Sequence, residues 1–135
     1  MKNKNFNKAL IIGPSGIGTV HLRELLRFGF EEIAFLGKSN SKKRTFIVNL
    51  KNNKQIKIIN LKKLNNIKNF KPDVTNICSP FKNHYEHILA CKNYSKFLIV
   101  EKPFIWFSSN LKKRKEYKTS VKLLENSKKK ILVNL

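Results

Sequence analysis

Hydrophobic residues along the chain fall into short unbroken runs, separated by stretches with helical spacing. Ala9-Leu10-Ile11-Ile12 is continuously apolar and stops at Gly13, the pattern of a strand buried on both faces. After the turn Gly13-Pro14-Ser15-Gly16-Ile17-Gly18, the residues Val20, Leu22, Leu25 and Leu26 recur at helical intervals up to Gly29, a helix stop signal. A second buried run, Ile33 to Leu36, follows soon after. Strand, helix and strand in this order predict a parallel βαβ unit with a right-handed crossover.

The pattern then changes. Thr45 to Val48 and Gln55 to Ile59 are β-branched runs flanking Lys51-Asn52-Asn53-Lys54, which predicts a β-hairpin after the second strand. Leu61, Leu64 and Ile67 suit a short helix before Pro72, and Val74 to Cys78 resumes the buried-strand pattern up to Ser79-Pro80. His84 to Cys91 has apolar positions at helical spacing, and Phe97 to Val100 is a further buried run ending at Glu101. The last segment predicts a basic helix, capped by Ser108 or Ser109, with Leu111, Val121 and Leu124 facing inward, then a strand from Ile131 to Leu135. With no linker and no internal repeat, residues 1–135 are expected to form one doubly wound α/β domain, mostly parallel and Rossmann-type.

A chain of 135 residues with 41% hydrophobic positions is long and apolar enough to build one core, which argues against wholesale disorder. Its 29 Lys and Arg against 8 Asp and Glu leave a formal charge of +21, a surface that attracts polyanions. The lysines, however, are spread through every segment among Asn and Ile and form no single stripe with aromatics. They read as a compositional bias more than as a nucleic-acid face. Cys78 and Cys91 have neither the number nor the spacing of a disulfide framework or zinc site, so both are expected reduced and no metal is expected. No run of about 18 apolar residues occurs, and Ala9 to Ile12 is too short for a signal-peptide core, which leads to the expectation of a cytoplasmic protein.

The glycine-rich turn follows a strand and opens a helix, the setting that a dinucleotide fingerprint requires. In such a fingerprint one glycine makes the tight turn, a second admits the pyrophosphate to the backbone, and a third lets helix and strand pack closely. Gly13 and Gly18 stand in the first and third places. Ser15 stands in the second, with Gly16 beside it, so a side chain sits where the pyrophosphate would approach. After the second strand no acid is available for an adenosine ribose. Gly37 is followed by Lys38 and Ser39, a cation and a hydroxyl suited to a 2′-phosphate, and NADP is therefore favoured over NAD.

The stretch Asp73 to Ser79-Pro80, then His84, then Phe97-Leu98-Ile99-Val100-Glu101-Lys102-Pro103, resembles the Gfo/Idh/MocA oxidoreductases. In that family the fourth strand runs into a Thr/Ser-Pro turn followed four residues later by His, and the fifth ends in Glu-Lys-Pro. The segment from Gly13 to Leu25, with Ile17-Gly18 followed by His21, is similar to the family's opening motif. The resemblance implies that Gly13, Ser15, Gly16, Ile17 and Gly18 face the pyrophosphate. It also implies that Ser79 and Pro80 line the nicotinamide side with His84 nearby, and that Glu101 and Lys102 bring an ammonium beside nicotinamide and substrate. Lys102 is the candidate catalytic residue, able to hydrogen-bond a reacting hydroxyl or carbonyl. Pro103, lacking an N–H, would end the strand. His21 and His87 lie within predicted helices and are taken as packed or surface residues. Trp106 with Phe104 and Phe107 is taken as packing.

The resemblance spans the whole chain but about the first third of a typical family member. The second α/β domain, which in the family carries the substrate pocket, is expected to be missing from this chain, and the hairpin stands where the family usually has a helix. The chain is therefore expected to bind nucleotide weakly and to catalyse nothing by itself, with a separately encoded substrate domain or a second copy as partner. Family substrates imply a sugar- or polyol-like alcohol or carbonyl. A Rossmann module without catalysis and a basic nucleic-acid-binding protein are the alternatives.

Overall fold

The computed structural model describes residues 6–37, 45–51, 53–105, 111–126 and 131–133. These form strands β1 (Lys8–Ile12), β2 (Glu32–Leu36), β3 (Thr45–Asn49), β4 (Gln55–Leu61), β5 (Val74–Ile77), β6 (Phe97–Val100) and β7 (Ile131–Val133). The helices are α1 (Ile17–Arg27), α2 (Ile67–Phe70), α3 (His84–Cys91) and α4 (Leu111–Asn126), with 3-10 turns at Leu64–Asn66 and Phe81–Asn83. The strands make one sheet in the order β3-β4-β2-β1-β5-β6-β7, parallel throughout except for β3 against β4. The expected doubly wound α/β architecture and its hairpin are both present.

The hairpin's second strand has a larger part than its sequence discloses. β4 pairs in parallel with β2, Ile33 opposite Ile58 and Leu36 opposite Leu61, while β3 forms an antiparallel edge. The path from β2 to its parallel neighbour thus includes an edge strand, Thr45–Asn49, among the described residues.

The continuous apolar run of β1 is explained by period-two alternation across a sheet covered on both sides. Leu10 and Ile12 join Ala34, Ile67, Phe70, Ile77, Ile88 and Leu98 in one core cluster, under α2 and α3. Ala9 and Ile11 join Leu25, Phe30, Ile33, Ile56 and Ile58 in the other, under α1. Helix α1 ends in a Schellman arrangement: Gly29 N–H donates to Leu26 O and Phe30 N–H to Leu25 O, with Gly29 at φ 88°. Leu25 and Phe30 then pack in the same cluster, so the stop signal also fixes how the chain enters β2.

Helix α4 corrects one expectation. Leu111 is 75% exposed, whereas Ser120 is fully buried and Leu123 packs against the core. With few apolar residues in a basic segment, spacing alone did not set the phase of this helix. Val121 is half-buried, and the Leu124 side chain lies outside the described residues, as do Ser108 and Ser109.

Candidate functional site at the carboxyl edge of β1 and β5

The order of strands reverses between β1 and β5: β2 and β4 lie on one side of β1, β5, β6 and β7 on the other. In parallel sheets the crevice outside the carboxyl ends at such a reversal is where ligands bind. Three segments from the sequence analysis meet there.

The first is the glycine turn. Gly13 N–H donates to Leu36 O at 2.9 Å, and the residue has φ 83°. A Cβ on Gly18 would stand 2.2 Å from Gly13 O and 3.4 Å from Ile11 Cγ2, so helix α1 approaches β1 more closely than any side chain permits. Gly16 differs. It has φ 56° and ψ −120°, and a Cβ there would meet nothing within 4 Å. The turn is open to solvent at that point, and Ser15 is exposed.

Helix α1 begins at Ile17 with no side-chain cap and no acid in its first turn. The Thr19 hydroxyl turns back to donate to Gly16 O at 2.7 Å. The partial positive charge of the helix start therefore faces the open side of Gly16, without a competing carboxylate on that turn. An anionic diphosphate fits this cradle, with Ser15 at its rim.

The second segment leaves β5. Cys78 N–H donates to Ile12 O at 2.8 Å, holding the strand exit against β1. The Ser79 hydroxyl is 2.7 Å from His87 Nδ1. Burial, opposed in part by Glu86, holds the His87 pKa below the usual imidazole range, which favours the neutral ring, with Ser79 Oγ–H donating to Nδ1. His84 is 1% exposed, with Nε2 at 2.7 Å from Ser79 O and Nδ1 at 2.8 Å from Phe104 O. Both partners are carbonyl oxygens, which only accept, so the ring nitrogen that carries the proton donates, and the buried ring sits between the loop after β5 and the loop after β6. It holds the Ser79-Pro80 turn from behind.

The third segment leaves β6. Glu101 N–H donates to Ile77 O, extending the ladder by one residue, and its buried side chain lies 2.5 Å from His21 Nε2 of α1. Burial first, and the Glu101 charge second, push the Cys78 thiol up to about 12. Lys102 and Pro103 are exposed and joined by a cis peptide bond. Lys102 makes no ion pair among the described residues.

Gly13, Ser15, Gly16, Ile17, Gly18, Ser79, Pro80, His84, Glu101 and Lys102 are thus gathered on the exits of β1, β5 and β6. Lys38 and Ser39 lie outside the described residues, as do Trp106 and Phe107; Phe104 packs against the core. The two histidines taken as packed or surface residues join the site: His21 through Glu101 and His87 through Ser79. For His21 a signal existed, since it falls within the opening motif of the resemblance.

Residues 7–135 match the sequence profile of the Gfo/Idh/MocA oxidoreductase family, described as its NAD-binding Rossmann fold. The chain belongs to this family. No curated protein matches it. Among solved structures, the apo scyllo-inositol dehydrogenase of Lactobacillus casei is similar with a TM-score of 0.67 at 15% identity, over 97% of this chain and 37% of that one. The myo-inositol 2-dehydrogenase of Lactobacillus plantarum is similar with a TM-score of 0.66 at 19% identity, over 96% of this chain and 36% of that one. The WlbA dehydrogenase of Thermus thermophilus, solved with NAD and UDP-GlcNAcA, has a TM-score of 0.63 at 16% identity, over 95% of this chain and 41% of that one. At these identities the likeness is one of fold. This Gfo/Idh/MocA chain spans about two-fifths or less of the length of each of the three.

Proposed function

We propose that this chain is the nucleotide-binding part of an oxidoreductase acting on a sugar- or polyol-like alcohol or carbonyl. The observation that carries the reading is the convergence of an uncapped helix start behind Gly16, the Ser79-Pro80 turn and the exposed Lys102 ammonium at one sheet reversal. When bound, the nicotinamide supplies the hydride acceptor or donor. The chain's own residues bind and orient. Gly16 and the first turn of α1 hold the diphosphate by N–H groups and dipole, with Ser15 and Ile17 at its rim. Ser79 and Pro80 form the wall beside the nicotinamide, kept in place by His84 and His87. Lys102 offers a proton donor and positive charge to a reacting substrate oxygen, where charge develops in the transition state.

The finer reading is NADP over NAD, with Lys38 and Ser39 at the 2′-phosphate. It is supported by a cavity of about 590 Å³ at the end of β4, lined in part by Asn60, Leu61, Lys62 and Lys63. Leu61 on its lining pairs with Leu36, the last residue of β2, and Lys62 and Lys63 add two ammonium groups at that end of the sheet. A second domain, or another copy of this chain, completes the substrate site, and the chain alone binds without turnover because transition-state stabilisation requires a held substrate. A cytoplasmic location is in keeping with its two free cysteines.

Calorimetric titration with NADPH and NADH, alongside Lys38→Ala, tests this. Saturable binding, tighter for NADPH and weakened for NADPH alone by the variant, is expected. A folded chain that binds neither nucleotide would leave a Rossmann scaffold without cofactor function.

A further inference from the structure

His21 lies one turn after Ile17 on the helix whose start faces Gly16. Its side chain and that of Glu101 retain 15% and 10% of their exposure, and the contact joins residues 80 apart in sequence. A carboxylate only accepts, so Nε2 carries the proton and donates to Oε1. The pair thereby fastens the phosphate-facing helix to the exit of β6. A carboxylate as buried as Glu101 needs donors around it. On its sheet side it meets Cys78, a thiol that burial and the Glu101 charge keep protonated. The next residue in the chain is the exposed Lys102, whose ammonium, on a flexible four-carbon stem, is a competitor for the same oxygens.

We propose that His21 is a positioning residue, which by engaging the Glu101 carboxylate keeps it from pairing with Lys102 and leaves that ammonium available to a bound ligand. This rests on the reading of Lys102 as the ligand-facing cation. An ammonium tied to its own neighbour would face a substrate oxygen with its charge already compensated and its donors partly used. The Glu-Lys sequence at the strand exit is in this view usable only with a third residue holding the acid, and α1 supplies it from the element that also receives the diphosphate.

The test is free of ligand. The chain is labelled by reductive ¹³C-methylation of its lysines, and the Lys102 resonance is assigned by its loss in Lys102→Arg. In His21→Ala the Lys102 resonance is expected to shift as the released carboxylate turns to the ammonium, and in His21→Gln, whose amide can still donate to Glu101, it is expected to return toward its native position. In a Glu101→Gln background, His21→Ala should produce no shift, because the competing charge is gone. An unmoved Lys102 resonance in His21→Ala overturns the proposal, and so does a shift that persists in the Glu101→Gln background, which would mean that His21 only stiffens the loop. Should His21→Ala not fold, His21→Asn, whose amide is too short to reach Glu101, replaces it in the same comparison. Titration of the native chain with NADH and ADP-ribose runs separately. Failure of both to bind would sink the dinucleotide reading without altering the resonance result.

Discussion

A Cβ placed on Gly13 would stand 2.8 Å from the Ser79 nitrogen and 2.9 Å from the Cys78 carbonyl carbon and oxygen. The exits of β1 and β5 touch backbone to backbone, and no side chain can yield to make room. Gly13→Ala therefore meets a clash and an unfavourable φ of 83° together, and must separate the two loops that form the site. The expected loss is about 2–3 kcal/mol of stability, measured by urea denaturation, together with loss of nucleotide binding. An unchanged denaturation midpoint would show that the two exits are not pressed together.

Gly16 offers the opposite case. A Cβ there meets nothing, so Gly16→Ala carries backbone strain without a clash and is expected to cost about 1–2 kcal/mol. Its larger effect should fall on ligand, because the new methyl group occupies the open side of the turn. The neighbouring Ser15→Gly, which restores the missing fingerprint glycine at an exposed position, is expected to tighten nucleotide binding severalfold by calorimetry. Equal or weaker binding by Ser15→Gly would indicate that the hydroxyl itself contributes to the ligand.

How much of this was legible differs by element. The runs ending at Gly13, Ser79 and Glu101 could be read because a strand covered on both faces leaves an unbroken apolar signal, and because turn glycines and prolines mark its exit. The bounds of α3 and β6 follow the pattern residue for residue. The partners within the site could not be read from pattern. His21 meets Glu101 only after α1 crosses the sheet, and periodicity carries no information on contacts 80 residues apart. Ser79 and His87 are closer in sequence, yet their pairing depends on the 3-10 turn at Phe81–Asn83, which leads from the loop after β5 into α3 and which the pattern does not disclose. Leu111 was misassigned for a simpler reason: α4 has too few apolar positions for its buried face to be found by spacing.

Cys78 reports on the charge of Glu101. Burial, then the adjacent carboxylate, push its thiol up to about 12, and burial pushes Cys91 up to about 12 as well. Neither thiol should react with iodoacetamide at pH 8 in the folded chain, since the thiolate is the nucleophile. Glu101→Gln removes the second influence on Cys78 alone and is expected to raise its alkylation rate severalfold without changing that of Cys91, as read by peptide mass spectrometry. A uniform rise at both sites would point to loosening of the fold instead.

Asp73 ties the start of β1 to the start of β5. Its Oδ2 accepts N–H groups of Asn7 and Lys8 at 2.8 and 2.9 Å, and Lys96 Nζ lies 2.7 Å from Oδ1. Burial raises its pKa, but Lys96 and the two N–H donors together outweigh burial and hold the carboxyl below its usual value. The folded pKa being lower than the unfolded one, the stabilisation is complete above about pH 4 and is lost as pH falls toward the folded value. Asp73→Asn is expected to cost about 1–2 kcal/mol at pH 7, with the difference from the native chain shrinking below pH 4. A cost that stays constant down to pH 2.5 would assign the effect to packing.

His87 has the reverse charge type, and its pH window lies elsewhere. Burial, the largest influence, lowers its pKa from 6.5, so the folded chain holds the neutral ring while the unfolded chain takes up a proton as pH falls past 6.5. Its contribution to stability is therefore complete above pH 6.5, declines below it, and stops declining once pH passes the lowered folded value. Protonation also reverses the contact at Ser79: Nδ1–H becomes the donor, and the hydroxyl proton must leave for another acceptor. The native chain should accordingly lose stability as pH falls below 6.5 by urea denaturation, and His87→Asn, which has no proton to take up, should reduce that slope. The same variant should weaken nucleotide binding at pH 7.5, where protonation has no part, because the Ser79 hydroxyl is no longer held. If His87→Asn leaves the pH slope intact, the declining stability belongs to other groups and the Ser79 hydroxyl is oriented by something other than a neutral His87.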